Sequence, residues 1–278
     1  MLDDFTLGIM EGRLLPPVNG NLQAFPGKEW EKEFSIASEC GLDAIEMIYD
    51  VEGIEYNPLN SDSGMEHLQK ICNKNNIKIL SVCADYFMHK GFIRVHEEER
   101  EKSVKTLKEL TCRCNNIGIK NIVIPFVDES EIKTSDELDQ AGKALVTALE
   151  NTDRCNVNYA LEMSLPGEKI AEFIKHIGHP RLKVNYDTGN SAALGYDLAS
   201  EINLLGDLIV DIHIKDRIYN GESCILGTGN TNFDDAFEAF SNIGFKGLFI
   251  LQAQRIEDEI NTIKQYLRFV KDKINKYY

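Results

Sequence analysis

The sequence predicts an α/β protein, a closed (β/α)8 TIM barrel built as a single domain over residues 1–278. Short β-branched runs alternate with longer helical patterns from end to end, and the count reaches eight strands and eight helices. That alternation implies right-handed βαβ crossovers and a parallel sheet. A content of 43% hydrophobic residues in 278 supplies a sizeable core. An open doubly wound sheet is the competing architecture, and it would place a Gly-rich phosphate turn after its first strand. Here that position holds Met10-Glu11-Gly12-Arg13-Leu14, one glycine beside a charged side chain.

Thr6 to Met10 is the first predicted strand, followed by a Gly/Pro-rich loop to Gly27 and a helix from Lys28 to Cys40 that stops at Gly41. Leu42 to Met47 is the second strand. Ser61 to Asn75 is the second helix, capped by Ser61 or Ser63. Ile77 to Ala84 is the third strand, Glu97 to Ile117 a long amphipathic helix ended by Gly118, and Ile119 to Pro125 the fourth strand. Thr134 to Arg154 is a helix whose Glu137, three residues after Thr134, forms a capping box. Strands then follow at Val157–Glu162, Leu182–Asp187, Leu208–Lys215 and Leu248–Gln252. The helices between and after them are Gly167–His176, Asp197–Leu205, Phe233–Asn242 and Asp258–Lys276. The longest loops, Leu15–Gly27 and Arg217–Asn232, each follow a strand, so a barrel places both at its active-site mouth.

The formal net charge is -15. An acidic surface repels phosphate backbones, which argues against a nucleic-acid partner. No apolar stretch approaches the ~18 residues of a membrane span. The N-terminus carries Asp3 and Asp4 without a basic-then-apolar leader, so the expected location is cytoplasmic. The seven cysteines are odd in number and irregular in spacing, which reads as reduced, structural thiols.

Four polar residues each end an apolar run in the C-terminal half: Glu162, Asp187, His213 and Gln252. In a barrel, the C-terminal ends of neighbouring parallel strands converge on one mouth. Like charges buried there are costly unless something positive compensates them. Carboxylate, carboxylate, imidazole and amide oxygen together suit one divalent cation. Lys215 shares the inward side of its strand with His213, and Asp211 shares it deeper in the barrel. Arg13, Arg217 and Arg255 all follow strand ends and suggest an anionic handle on the substrate. Gly227-Thr228-Gly229 is either a turn or a set of backbone N–H groups facing an anion.

The ordered set Met10-Glu11-Gly12-Arg13-Leu14, Leu161-Glu162, Asn185-Tyr186-Asp187-Thr188-Gly189-Asn190, His213-Ile214-Lys215-Asp216-Arg217, Leu226-Gly227-Thr228-Gly229 and Gly247-Leu248-Phe249-Ile250-Leu251-Gln252 resembles the sugar phosphate isomerase/epimerase family of xylose isomerase-like TIM barrels. The resemblance spans the chain. It implies a metal-dependent isomerase or epimerase acting on a small-molecule sugar or sugar phosphate, with one manganese, magnesium, cobalt or zinc ion held by Glu162, Asp187, His213 and Gln252. Its chemistry moves a proton on the carbon beside a carbonyl, with Glu162 as acid/base. A homo-oligomer is left open.

Gln252 departs from the family pattern, which has a second glutamate there. An amide oxygen can ligate but cannot hold a proton. A one-base isomerase, a second base supplied by Glu46, Asp85 or Lys215, and a metal-dependent dehydratase of a polyhydroxylated substrate all remain compatible. A sugar-binding barrel without catalysis is a further reading. His89, Asn190, Asp216, Arg217, Arg255 and Arg13 complete the candidate substrate contacts. Apurinic endonucleases of the same superfamily need further histidines at strand ends, and where they carry one this chain has Asn190.

Overall fold

The computed structural model describes residues 4–256 and 258–278. Asp3, used above in reading the N-terminus, lies outside them. Among the described residues eight strands form the barrel: β1 (Thr6–Met10), β2 (Ala44–Ile48), β3 (Ser81–Cys83), β4 (Asn121–Phe126), β5 (Asn158–Met163), β6 (Leu182–Asp187), β7 (Ile209–Ile214) and β8 (Leu248–Leu251). They close into a barrel in sequence order, with β8 hydrogen-bonded to β1 through Thr6 opposite Leu248. Every barrel pairing is parallel. The outer helices are α1 (Lys32–Cys40), α2 (Asp62–Asn75), α3 (Glu97–Ile117), α4 (Ser135–Glu150), α5 (Gly167–Ile177), α6 (Leu198–Leu205), α7 (Phe233–Asn242) and α8 (Glu259–Tyr277).

The caps follow the local chemistry. Ser61 accepts from the Gly64 N–H at the start of α2. Thr134 and Glu137 form the reciprocal box at α4. Gly41 and Gly118 end α1 and α3 in left-handed conformation. Burial between sheet and helices is aromatic in places: Phe249 on β8 stacks on Phe237 of α7 with centroids 5.5 Å apart.

Among the differences from the expectation, four have a clear local cause. The helix expected from Lys28 begins as a separate 3-10 turn, because the Trp30 and Glu33 N–H groups bond three residues back, and regular α geometry starts at Lys32. The third strand shrinks to Ser81–Cys83, since Lys78 meets β2 through only one bridge at Ala44. The helix expected to reach Arg154 stops at Glu150, where Asn151 and Thr152 side chains bond back onto the carbonyls of Thr147 and Ala148. A short helix at Thr188–Leu194 was not expected; Asp187, the last residue of β6, caps it directly.

Among the described residues no helix is long and apolar enough to cross a membrane.

Candidate functional site

The parallel register sets the site. Asp187 on β6 stands opposite His213 on β7, and Glu162 lies near the end of β5. Side chains alternate along a strand, so Asp211 and His213 enter the barrel from the same side of β7, as do Asn185 and Asp187 from β6. One ligand-capable atom from each of Glu162, Asp187 and His213 lies within 4.8 Å of the others. All three residues are buried, with His213 at 0% exposure.

Each member has a specific support. Asn190 Nδ2 donates to Glu162 Oε1 at 2.7 Å, and Arg217 donates to Asn190 Oδ1 at 2.9 Å. Asp187 Oδ1 accepts the Asn190 N–H, while its Oδ2 receives no hydrogen bond from the described residues and faces the Lys215 ammonium at 3.5 Å. His213 Nε2 meets Glu46 Oε1 at 2.8 Å, leaving Nδ1 to face Glu162 Oε2 at 3.6 Å. A carboxylate behind a ligating imidazole fixes its orientation and raises its basicity. Lys215 also reaches Gln252 Oε1 at 3.3 Å, so one ammonium lies between the Gln252 amide oxygen and Asp187.

The electrostatics follow from burial. Burial pushes the Glu162 carboxyl up to about 7, with His213 and Lys215 drawing it back and Asp187 adding to the rise. Burial alone would lower His213, but the Glu46 charge and hydrogen bond override it and lift the imidazole to about 10. Burial likewise raises Asp85. A second buried group, Glu46, Asp211 and His213, lies beside the first and shares its histidine.

The backbone makes room for this packing at one glycine in particular. A Cβ on Gly189 would sit 2.8 Å from Lys215 Cγ and 3.0 Å from its backbone carbon, so glycine there lets the Lys215 stem pass.

The structure thus gathers Glu162, Asp187, His213, Lys215, Gln252 and Asn190. It gives several expected substrate contacts a supporting place. Glu46 is fully buried behind His213. Asp216 is also fully buried and accepts the backbone N–H groups of Gly227, Gly229 and Thr231 at 2.8, 2.9 and 3.0 Å. The Gly227-Thr228-Gly229 segment is therefore a loop closed on the protein's own carboxylate. Arg255 binds the carbonyls of Gly12 and Leu15 and the Glu259 carboxylate. Arg13 donates to the Ala253 carbonyl at 2.7 Å, and Arg217 also holds the Gly221 carbonyl. His89 is exposed and faces Asp50 at 3.9 Å.

Asp85 is linked to the cluster through Gln23, which the sequence did not single out. Gln23 lies in the long loop after β1, and nothing local marks it. Asn185, whose Nδ2 lies 3.0 Å from His213 Nδ1, was also missed; its position two residues before Asp187 on an inward-facing strand was the available signal.

A putative L-ribulose-5-phosphate 3-epimerase of Haemophilus influenzae is 24% identical over 263 residues, covering 89% of this chain and 92% of that protein. The crystal structure of D-psicose 3-epimerase with D-tagatose from Clostridium cellulolyticum superposes with a TM-score of 0.77 at 14% identity, covering 97% of this chain and 99% of that one. The IOLI protein with a bound zinc atom superposes with a TM-score of 0.78 at 17% identity over 99% of both chains. The family profile of the xylose isomerase-like TIM barrels matches residues 34–273, and the chain belongs to that family.

Proposed function

We propose that the chain is a cytoplasmic, divalent-metal-dependent isomerase or epimerase of a sugar or sugar phosphate, with Glu162 as its acid/base. The observation that carries this reading is the buried cluster of Glu162, Asp187 and His213, joined to the Gln252 oxygen through Lys215. The donor set fits one cation of the manganese, magnesium, cobalt or zinc kind: hard oxygens, one imidazole nitrogen, and an Asp187 oxygen without a hydrogen-bond donor among the described residues. When bound, such an ion supplies a Lewis acid for the negative charge that develops on the substrate's oxygens.

The chain's own residues do the rest. Glu162 takes the proton from the carbon beside the carbonyl and delivers it to the adjacent carbon, a transfer that one base on one face can complete. Asn190 holds Glu162 Oε1 and leaves Oε2 as the working oxygen. Lys215, between Asp187 and Gln252, places a positive charge and a proton donor at the same site. Asn190, Arg217, Arg13 and Asp85 are proposed to border the substrate.

Gln252 favours proton transfer by one base over a symmetric two-base epimerisation, because an amide holds no proton at pH 7. It also sustains two other readings, a dehydratase of a polyhydroxylated substrate and a sugar-binding barrel. The test strips metal with a chelator, restores manganese, magnesium, cobalt or zinc singly, and follows a panel of ketoses, aldoses and their phosphates by NMR. Interconversion of carbonyl isomers or epimers that depends on added metal is expected. Loss of water from the substrate would favour the dehydratase, and binding without turnover the non-catalytic barrel.

A further inference from the structure

We propose that Gln23 is the positioning residue of Gln252: a directional chain of hydrogen bonds turns the Gln252 oxygen toward Lys215 and commits position 252 to an amide. The inference rests on the proposed role of the Gln252 oxygen as a metal donor.

The chain runs from Asp85 through Gln23 and Gln252 to Lys215. Gln23 Nε2 donates to Asp85 Oδ2 at 2.8 Å. Cys83 Sγ donates to the other oxygen of Asp85 at 3.2 Å. Arg13 Nη2 approaches Gln23 Oε1 at 3.4 Å. Gln252 Nε2 donates to the same Gln23 oxygen at 2.9 Å, and Lys215 Nζ reaches Gln252 Oε1 at 3.3 Å.

The two ends of an amide have nearly the same shape, so neighbours decide which end points where. Here the neighbours allow one answer. A carboxylate only accepts, so Asp85 requires the NH2 group of Gln23. A guanidinium only donates, so Arg13 requires the oxygen of Gln23. That oxygen then requires the NH2 group of Gln252, and the donor-only ammonium of Lys215 requires the Gln252 oxygen. Reversing either amide sets donor against donor or acceptor against acceptor in a largely buried place.

The same polarity accounts for the amide at 252. A glutamate of equal length would set a carboxylate oxygen against Gln23 Oε1, acceptor facing acceptor. Turning Gln23 over would only transfer the conflict to Asp85 and Arg13. The departure from the family pattern is thus matched by a partner on the loop after β1. Gln252→Glu alone does not restore a two-base site; it breaks the relay.

The test is a double-mutant cycle on the full chain with Gln23→Met and Gln252→Met, read in two ways. Thermal unfolding is measured first in chelator. The relay expects the double variant to lose about as much Tm as the worse single, because the two amides depend on each other. It also expects Gln252→Glu to lower Tm in the native background and to cost less beside Gln23→Met. Mn2+ binding is then titrated by calorimetry. Gln23→Met is expected to weaken Mn2+ about 10-fold or more, the effect of losing an outer-shell partner, and to have no further effect beside Gln252→Met. Additive Tm losses overturn the relay. Unchanged Mn2+ affinity in Gln23→Met, or equal weakening in both backgrounds, overturns its role in aiming the amide. If the native chain binds no Mn2+, the metal reading fails, and the Tm cycle still decides the relay.

Discussion

Glu46 shows how one residue changed meaning between sequence and structure. At the end of a strand it was a candidate second base; in the barrel it is fully buried and spends Oε1 on the back nitrogen of His213. Its negative charge keeps the imidazole basic and oriented. Glu46→Gln leaves an oxygen but removes the charge, and Mn2+ affinity is expected to fall about 10-fold by calorimetry; an unchanged affinity would remove Glu46 from the site. Glu162, Asp187 and His213 were legible in the sequence because each ends an apolar run, so a charge there is buried and needs compensation. Gln23 was not, because its meaning depends on Arg13, Asp85 and Gln252, which the chain brings together only by folding. Asp216 was legible as a mouth residue but not in its role, since the three N–H groups it accepts lie 11 to 15 positions away.

At the scale of elements, that loop deserves its own test. Asp216 opens a two-residue antiparallel pairing of Asp216–Arg217 with Ser223–Cys224. Gly229 fits beneath it because a Cβ there would lie 2.3 Å from Asp216 Oδ1. Asp216→Asn sets an NH2 group against backbone donors, with an expected loss of about 3 kcal/mol. Faster hydrogen exchange confined to Gly227, Gly229 and Thr231 would accompany it; unchanged protection at those amides would contradict the assignment. Strands and outer helices were legible for a related reason. Period-two and period-3.6 apolar patterns report burial directly, and Ser61, Thr134, Gly41 and Gly118 mark ends by backbone chemistry. The Thr188–Leu194 helix escaped because its cap, Asp187, is also a site residue and its seven residues are too few for a periodic pattern.

For the whole molecule, closure of the barrel has an acidic cost. Glu33 on α1 accepts the Gly12 and Leu14 N–H groups at 2.7 and 2.8 Å and thereby pins the loop after β1 that carries Arg13 and leads to Gln23. Burial pushes Glu33 up to about 7 despite those bonds and Arg255. Its neighbour Glu11 is raised well above its ordinary value by burial and then by the Glu33 charge. Between the ordinary carboxylate value and 7, the folded chain holds a proton that the unfolded chain has released. Stability from Glu33 is therefore present below that window and falls as pH rises through it, by on the order of 3 kcal/mol. Glu33→Gln is expected to flatten the decline of Tm between pH 5 and pH 8, and an unchanged slope would contradict it. The proposed catalysis turns on Glu162. The direct measurement is deuterium incorporation at the carbon beside the carbonyl of the reactive ketose, in heavy water with Mn2+ bound. The native chain is expected to exchange that proton, and Glu162→Gln to abolish exchange while keeping its fold and its Tm near native. Exchange at the native rate in Glu162→Gln, or none in the metal-loaded native chain across the ketose panel, would contradict the account.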